Sequence, residues 1–257
     1  MLHFPCQKLA VLLILYQPKL SIINTIYYLV KKSHKPTMTK LFLMPGFGED
    51  TFCFNELIPL IKQHKFIHVD YRPVLDKFIF PFITVKQFAH QLIKHYNIEP
   101  DDKILGHSMG GYFAFQIREL QGNSICMIGS FNDTKKVLHM VPQFPRVTLF
   151  AAFTGLVKNK WLKSYLLKRA KDENYRKIQS YIMDNFDSFT DNQLALMIEM
   201  NYGKKIQSSL PNPLRIHDKA DRIIGPPDEH YVQIKGGHFC LNLYADETFA
   251  AMQEFLK

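Results

Sequence analysis

The sequence predicts an α/β protein: a mostly parallel sheet of about six strands with helices on both faces and a helical insertion between the fourth and fifth strands. Three observations carry this. From Leu41 onward, short apolar runs alternate with longer segments of helical period, which is the signature of βα units. At 257 residues, with 47% hydrophobic and 21% charged, the chain is long and apolar enough for one large core. A stretch of about seventy residues, 133–205, holds no convincing strand, and structureless loops of that length are uncommon.

The strands fall at 41–47, 66–72, 102–108, 124–131, 212–221 and 231–238, where apolar residues run together between turn residues. Helical periodicity marks 51–64, 85–97, 110–121 and 245–256, and Thr84-Val85-Lys86-Gln87 has the capping-box spacing that starts the second of these. Within the insertion, 161–186 and the segment opened by Thr190-Asp191-Asn192-Gln193 also read as helices. The chain therefore divides into an α/β core of 38–132 and 206–257, a helical cap of 133–205, and an N-terminal stretch of 1–37.

The N-terminal stretch holds Lys8, Lys19, Lys31, Lys32 and Lys35 and no acid, so it carries more than half of the formal charge of +9. In the body, no segment interleaves dense Lys and Arg with stacking aromatics, which speaks against a nucleic-acid partner. The apolar run at 9–16 is broken by Gln17, Pro18 and Lys19, well short of the roughly 20 residues a spanning helix needs. No small-x-small cleavage site follows Tyr16, as a secretory signal would require. The expectation is a tail the fold does not need, with membrane association through residues 9–30 as the alternative, on a protein of the cytoplasm. Cys6, Cys53, Cys126 and Cys240 form no CxxC pair, and HExxH spacing is absent, so free thiols, no metal and no cofactor are expected.

The chemistry centres on Gly106-His107-Ser108-Met109-Gly110, which ends an apolar strand and opens a helical stretch. That strand–turn–helix setting is what a nucleophile elbow requires: the glycines permit the tight turn that lifts a serine hydroxyl above the sheet edge. A serine hydroxyl needs a base, normally a histidine held by a carboxylate. Of eleven histidines, only His238, in Lys235-Gly236-Gly237-His238-Phe239, sits in a glycine-lined loop after a late apolar run. For the acid, Asp221 lies deepest in the loop after Leu214-Arg215-Ile216, with Asp218 and Asp133 as alternatives. Backbone N–H groups of Phe47, in Pro45-Gly46-Phe47-Gly48, and of Met109 are placed to form an oxyanion hole.

With PGFG at 45–48, GHSMGG at 106–111, an acid loop at 217–226 and GGHF at 236–239, the sequence resembles the α/β-hydrolase superfamily from about residue 40 to the end. Small hydrolases with a helical cap look most similar. Two departures stand out: His217-Asp218 replaces the usual His-Gly, and Pro226 lies one position beyond the usual proline. The two leading strands of the full pattern are missing, which implies a reduced sheet. The resemblance implies a serine hydrolase that cleaves an ester or related acyl bond of a small molecule without a cofactor, and the apolar, aromatic segment 141–155 of the cap points to a hydrophobic substrate. A serine at 108 sets the chain apart from dehalogenases and epoxide hydrolases of this fold, whose ester intermediate forms on an aspartate. Thioester, amide or carbon–carbon bond hydrolysis by the same residues is the enzymatic alternative, and a catalytically silent binding protein the non-enzymatic one.

Overall fold

Leu41 and Leu43 face one way from the first strand and Phe42 and Met44 the other, and all four are fully buried. Alternation of this kind, apolar on both sides, means a sheet covered on both faces. In the computed structural model, which describes residues 39–137, 145–169 and 172–257, the sheet has six strands. These are β1 (Lys40–Met44), β2 (Lys65–His68), β3 (Lys103–His107), β4 (Ser124–Ile128), β5 (Leu214–His217) and β6 (Val232–Gln233). Their order is β2-β1-β3-β4-β5-β6, and every pairing is parallel. The N-terminal stretch 1–37, and with it the expectation of a tail or membrane-associating segment, lies outside the described residues. No described helix is long and apolar enough to cross a membrane.

Helices α1 (Arg72–Leu75), α2 (Val85–Tyr96) and α3 (Met109–Gln121) contribute Leu75, Phe88, Leu92, Tyr112 and Phe113 to the core on the Phe42 face. On the Leu41 face, α8 (Cys240–Leu243) and α9 (Ala245–Leu256) contribute Leu241, Met252 and Phe255. The expected capping box at Thr84 is present: its hydroxyl accepts from Gln87 N–H while the Gln87 side chain accepts from Thr84 N–H.

The helix expected over 51–64 does not form. Two 3-10 turns, Thr51–Phe54 and Ile58–Leu60, stand in its place. Pro59 is the reason, since in a helix interior it would remove a backbone donor and clash with the preceding turn. Phe54, Leu57 and Ile61 still reach the core, which is why the apolar spacing looked helical. The strands are also shorter than the apolar runs that announced them, because each run continues into the loop after its strand.

The insertion forms α4 (Pro145–Phe153), α5 (Lys160–Arg169), α6 (Glu173–Asn185) and α7 (Asp191–Asn201), the last opened by the expected capping box at Thr190. Ala152 of α4 packs with Ala195 and Ile198 of α7. What matters for the site is where the chain reverses. After β2 it crosses back over β1 to β3, so the loops leaving β1 and β3 open side by side at the carboxyl edge of the sheet, where α/β proteins form their ligand crevice.

Candidate functional site

Ser108 stands one residue beyond β3 with φ 51° and ψ −122°, a conformation that side chains avoid. Tight packing around it holds the strain. A Cβ at Gly106 would lie 2.5 Å from the Gly111 backbone, and one at Gly110 would lie 2.1 Å from the Met44 carbonyl oxygen, so only glycine lets β3, α3 and β1 approach this closely. Ser108 N–H donates to the Ile128 carbonyl at 3.0 Å, and the Ser130 hydroxyl donates to the Ser108 carbonyl at 2.6 Å.

Loops from β5 and β6 bring two more groups to the same point. His238 Nε2 lies 3.0 Å from Ser108 Oγ, and His238 Nδ1 lies 2.8 Å from Asp221 Oδ2. The other carboxylate oxygen of Asp221 accepts from the backbone N–H groups of Ile223 and Ile224, at 2.7 and 3.0 Å. Burial alone would raise the Asp221 pKa, but the His238 charge and hydrogen bond, together with the two amides, bring it below the usual carboxylate value.

The rival carboxylates are engaged elsewhere. Asp218 accepts from Gly237 N–H at 2.7 Å, from Ala220 N–H at 2.9 Å and from the Gln233 side chain at 3.2 Å. It thereby ties the β5 loop to the glycine turn that carries His238. Asp133 caps the 3-10 turn Thr134–Lys136 by accepting from Lys135 N–H.

A second buried pair was not anticipated from the sequence. Glu49 Oε2 lies 2.7 Å from His107 Nδ1 and also accepts from Gly46 N–H at 2.7 Å, while His107 Nε2 donates to the His238 carbonyl at 2.9 Å. Burial would raise the Glu49 pKa and lower that of His107; the mutual attraction prevails, holding Glu49 low and His107 high. The pair is therefore an ion pair, and it links the loop after β1 to the histidine loop behind the serine. Cys53 completes a buried cluster with these two residues. At 2.7 Å the Glu49–His107 contact is a hydrogen bond; two atoms each about 2 Å from a tetrahedral ion would stand about 3.3 Å apart. The sequence signal for the pair was slight: an acid three residues after Gly46, and a histidine beside the serine.

Gly46 N–H is committed to Glu49, whereas the amides of Phe47 and Met109 donate to no other group among the described residues. The insertion closes over this edge. Phe186 packs edge-on against Phe47 at 5.2 Å, the Asn185 side chain donates to the Gly48 carbonyl at 2.9 Å, and the Asn201 amide reaches the Met109 sulfur at 3.3 Å. Tyr175 of α6 packs on Phe239 at 4.7 Å, and its hydroxyl pKa is pushed up to about 12 by burial and by the nearby Asp221 charge.

No family model matches the chain, and no curated protein matches it by sequence. Solved structures do. A hydrolase from Oleispira antarctica superposes with a TM-score of 0.66 at 14% identity, over 86% of this chain and 91% of the other. An enol-lactonase from Burkholderia xenovorans LB400 gives 0.63 at 15%, over 87% and 93%. A thermophilic esterase from Thermogutta terrifontis gives 0.64 at 18%, over 86% and 90%. The chain has the α/β-hydrolase fold. Within that α/β-hydrolase fold the six parallel strands and flanking helices agree with the architecture expected from the sequence, and the shared edge after β1 and β3 is where Ser108 stands.

Proposed function

We propose that this protein is a serine hydrolase that cleaves a carboxylic ester or a related acyl bond, with 133–205 as the cap over its site. The observation that carries this reading is the continuous contact from Ser108 Oγ through the His238 ring to Asp221, at 3.0 and 2.8 Å. Ser108 Oγ attacks the carbonyl carbon as His238 Nε2 takes its proton, and Asp221 stabilises the imidazolium and fixes its tautomer. The oxyanion that forms accepts from the N–H groups of Phe47 and Met109. When the tetrahedral intermediate collapses, His238 returns the proton to the leaving alkoxide, giving an alcohol and an acyl-serine. Water then attacks the acyl-serine with His238 again as base, releasing the carboxylic acid and restoring the Ser108 hydroxyl.

An ester is favoured because an alkoxide leaving group demands less protonation than an amine does. The rings of Phe47, Phe186 and Tyr175 beside the site support a hydrophobic substrate. The test is labelling by a fluorophosphonate probe beside Ser108→Ala. Labelling of the parent and not of the variant is expected; equal labelling of both, or of neither, sinks the reading. A series of p-nitrophenyl esters of rising acyl length then measures which chain the cap admits.

A further inference from the structure

Helix α4 turns Leu149 and Ala152 inward against α7 and leaves its other side uncovered: Val147 is 62% and Phe150 64% exposed. Phe153 continues that side and touches Phe80, whose loop also exposes Ile79 and Phe82, at 80% and 83%. Leu156 is exposed just beyond. At the start of α5, Trp161 is 74% exposed and stacks on Tyr165 at 5.8 Å. Single exposed apolar residues are ordinary, but this many in neighbouring segments marks an interaction surface.

Charge says what kind of surface meets it. Residues 145–169 hold Arg146, Lys158, Lys160, Lys163, Lys168 and Arg169 and no acid. Lys158 and Lys163 are paired with Asp191 and Asp184. Lys160 and Lys168 have no acidic partner among the described residues, and with Lys163, Leu167 and Arg176 they line a groove of about 430 Å³ between α5 and α6. The acid nearest in sequence on α6, Glu173, is already paired with Lys177. Trp and Phe set beside Lys, with Asp184, Asp191 and Glu173 each already paired to a lysine, is a composition that settles into an anionic lipid interface: rings enter the headgroup boundary while ammonium groups meet phosphates.

We propose that this face of the cap, formed by α4, α5 and the 79–82 loop, docks on an anionic membrane surface. The chain supplies its own reporter, since Trp161 is its one tryptophan. Full-length protein is mixed with vesicles of phosphatidylcholine alone or with phosphatidylglycerol, and sedimentation and tryptophan emission are followed together. With anionic vesicles the protein sediments, Trp161 emission moves to the blue, and brominated lipid quenches it. Salt reverses all three. Lys160→Ser and Lys168→Ser each weaken partition about fivefold, and Val147→Ser with Phe150→Ser weakens it further, with hydrolysis of a water-soluble ester unchanged.

Sedimentation without any response of Trp161 overturns the proposal and assigns binding to another part of the chain. Equal binding to neutral vesicles also overturns it. So does failure to bind, whether or not self-association that Phe150→Ser abolishes then assigns the face to a second copy. Fluorophosphonate labelling of Ser108 is read on the same samples; its absence leaves the vesicle result intact, so the two readings fail separately.

Discussion

Two histidine–carboxylate pairs lie side by side at the carboxyl edge of the sheet, their imidazole rings 4.9 Å apart. In one, His238 meets Asp221 at 2.8 Å; in the other, His107 meets Glu49 at 2.7 Å. Both are buried, and in both the acid is held below its usual pKa. They differ in the second ring nitrogen. His238 directs Nε2 at the Ser108 hydroxyl, a group that can give up its proton, whereas His107 spends Nε2 on the His238 carbonyl, which cannot. Under the function proposed above, the same chemical pair is a proton shuttle or a brace according to what its second ring nitrogen faces.

The largest effects should separate these roles. His238→Ala is expected to lower kcat/KM by about 10⁶-fold, and Asp221→Asn by about 10⁴-fold. Steady-state kinetics on a p-nitrophenyl ester checks both. If Asp221→Asn retained near-full activity, the shuttle would not depend on its carboxylate.

Glu49→Gln should behave in the opposite proportion. Leaving the buried His107 without its anion costs about 3 kcal/mol of stability, while kcat falls by no more than about 10²-fold, through the slackened Gly46 turn beside the Phe47 amide. The stability loss depends on pH. Glu49 is held below 4.5, so its contribution is full above that value and fades as pH falls through the folded-state pKa. His107 is held above 6.5, so its contribution is full below that value and fades as pH rises through its folded-state pKa. The gap between parent and variant is therefore widest from pH 4.5 to 6.5, and urea titrations across that range measure it. A gap that grew steadily with pH would contradict the ion pair.

Smaller still are the rival carboxylates. Asp218→Asn removes a charged acceptor from the Gly237 amide, and a loss of about 2 kcal/mol with activity held within tenfold is expected. Asp133→Ala removes only the cap of a 3-10 turn, worth about 1 kcal/mol in the melt and nothing in turnover.

The contrast between the pairs also explains what could be read from the chain. Ser108 was legible because its demands are local: glycines on either side, an apolar strand before, a helix after. His238 and Asp221 were marked by the loops they end; depth in the loop favours Asp221 over Asp218 and Asp133, and the contact with His238 agrees with that preference, although Asp218 and Asp221 are separated only by which way the loop turns. Glu49 and His107 are 58 residues apart with no pattern joining them, so only the fold reveals the contact. Strand positions followed from apolar runs whose burial is two-sided. The failed helix at 51–64 shows the limit, because spacing reports which residues reach the core, and the backbone that carries them there was set by Pro59.

At φ 51° the elbow residue holds a shape that glycine would adopt freely and that costs any other side chain about 1–3 kcal/mol. Ser108→Gly should accordingly melt higher than Ser108→Ala, and the excess, net of glycine's larger unfolded-state entropy, reads the strain that a side chain bears at this point. For a domain whose entire margin is about 5–15 kcal/mol, that is a standing load. A chain freed from any task here would drift toward glycine, shedding the load and the hydroxyl in one step.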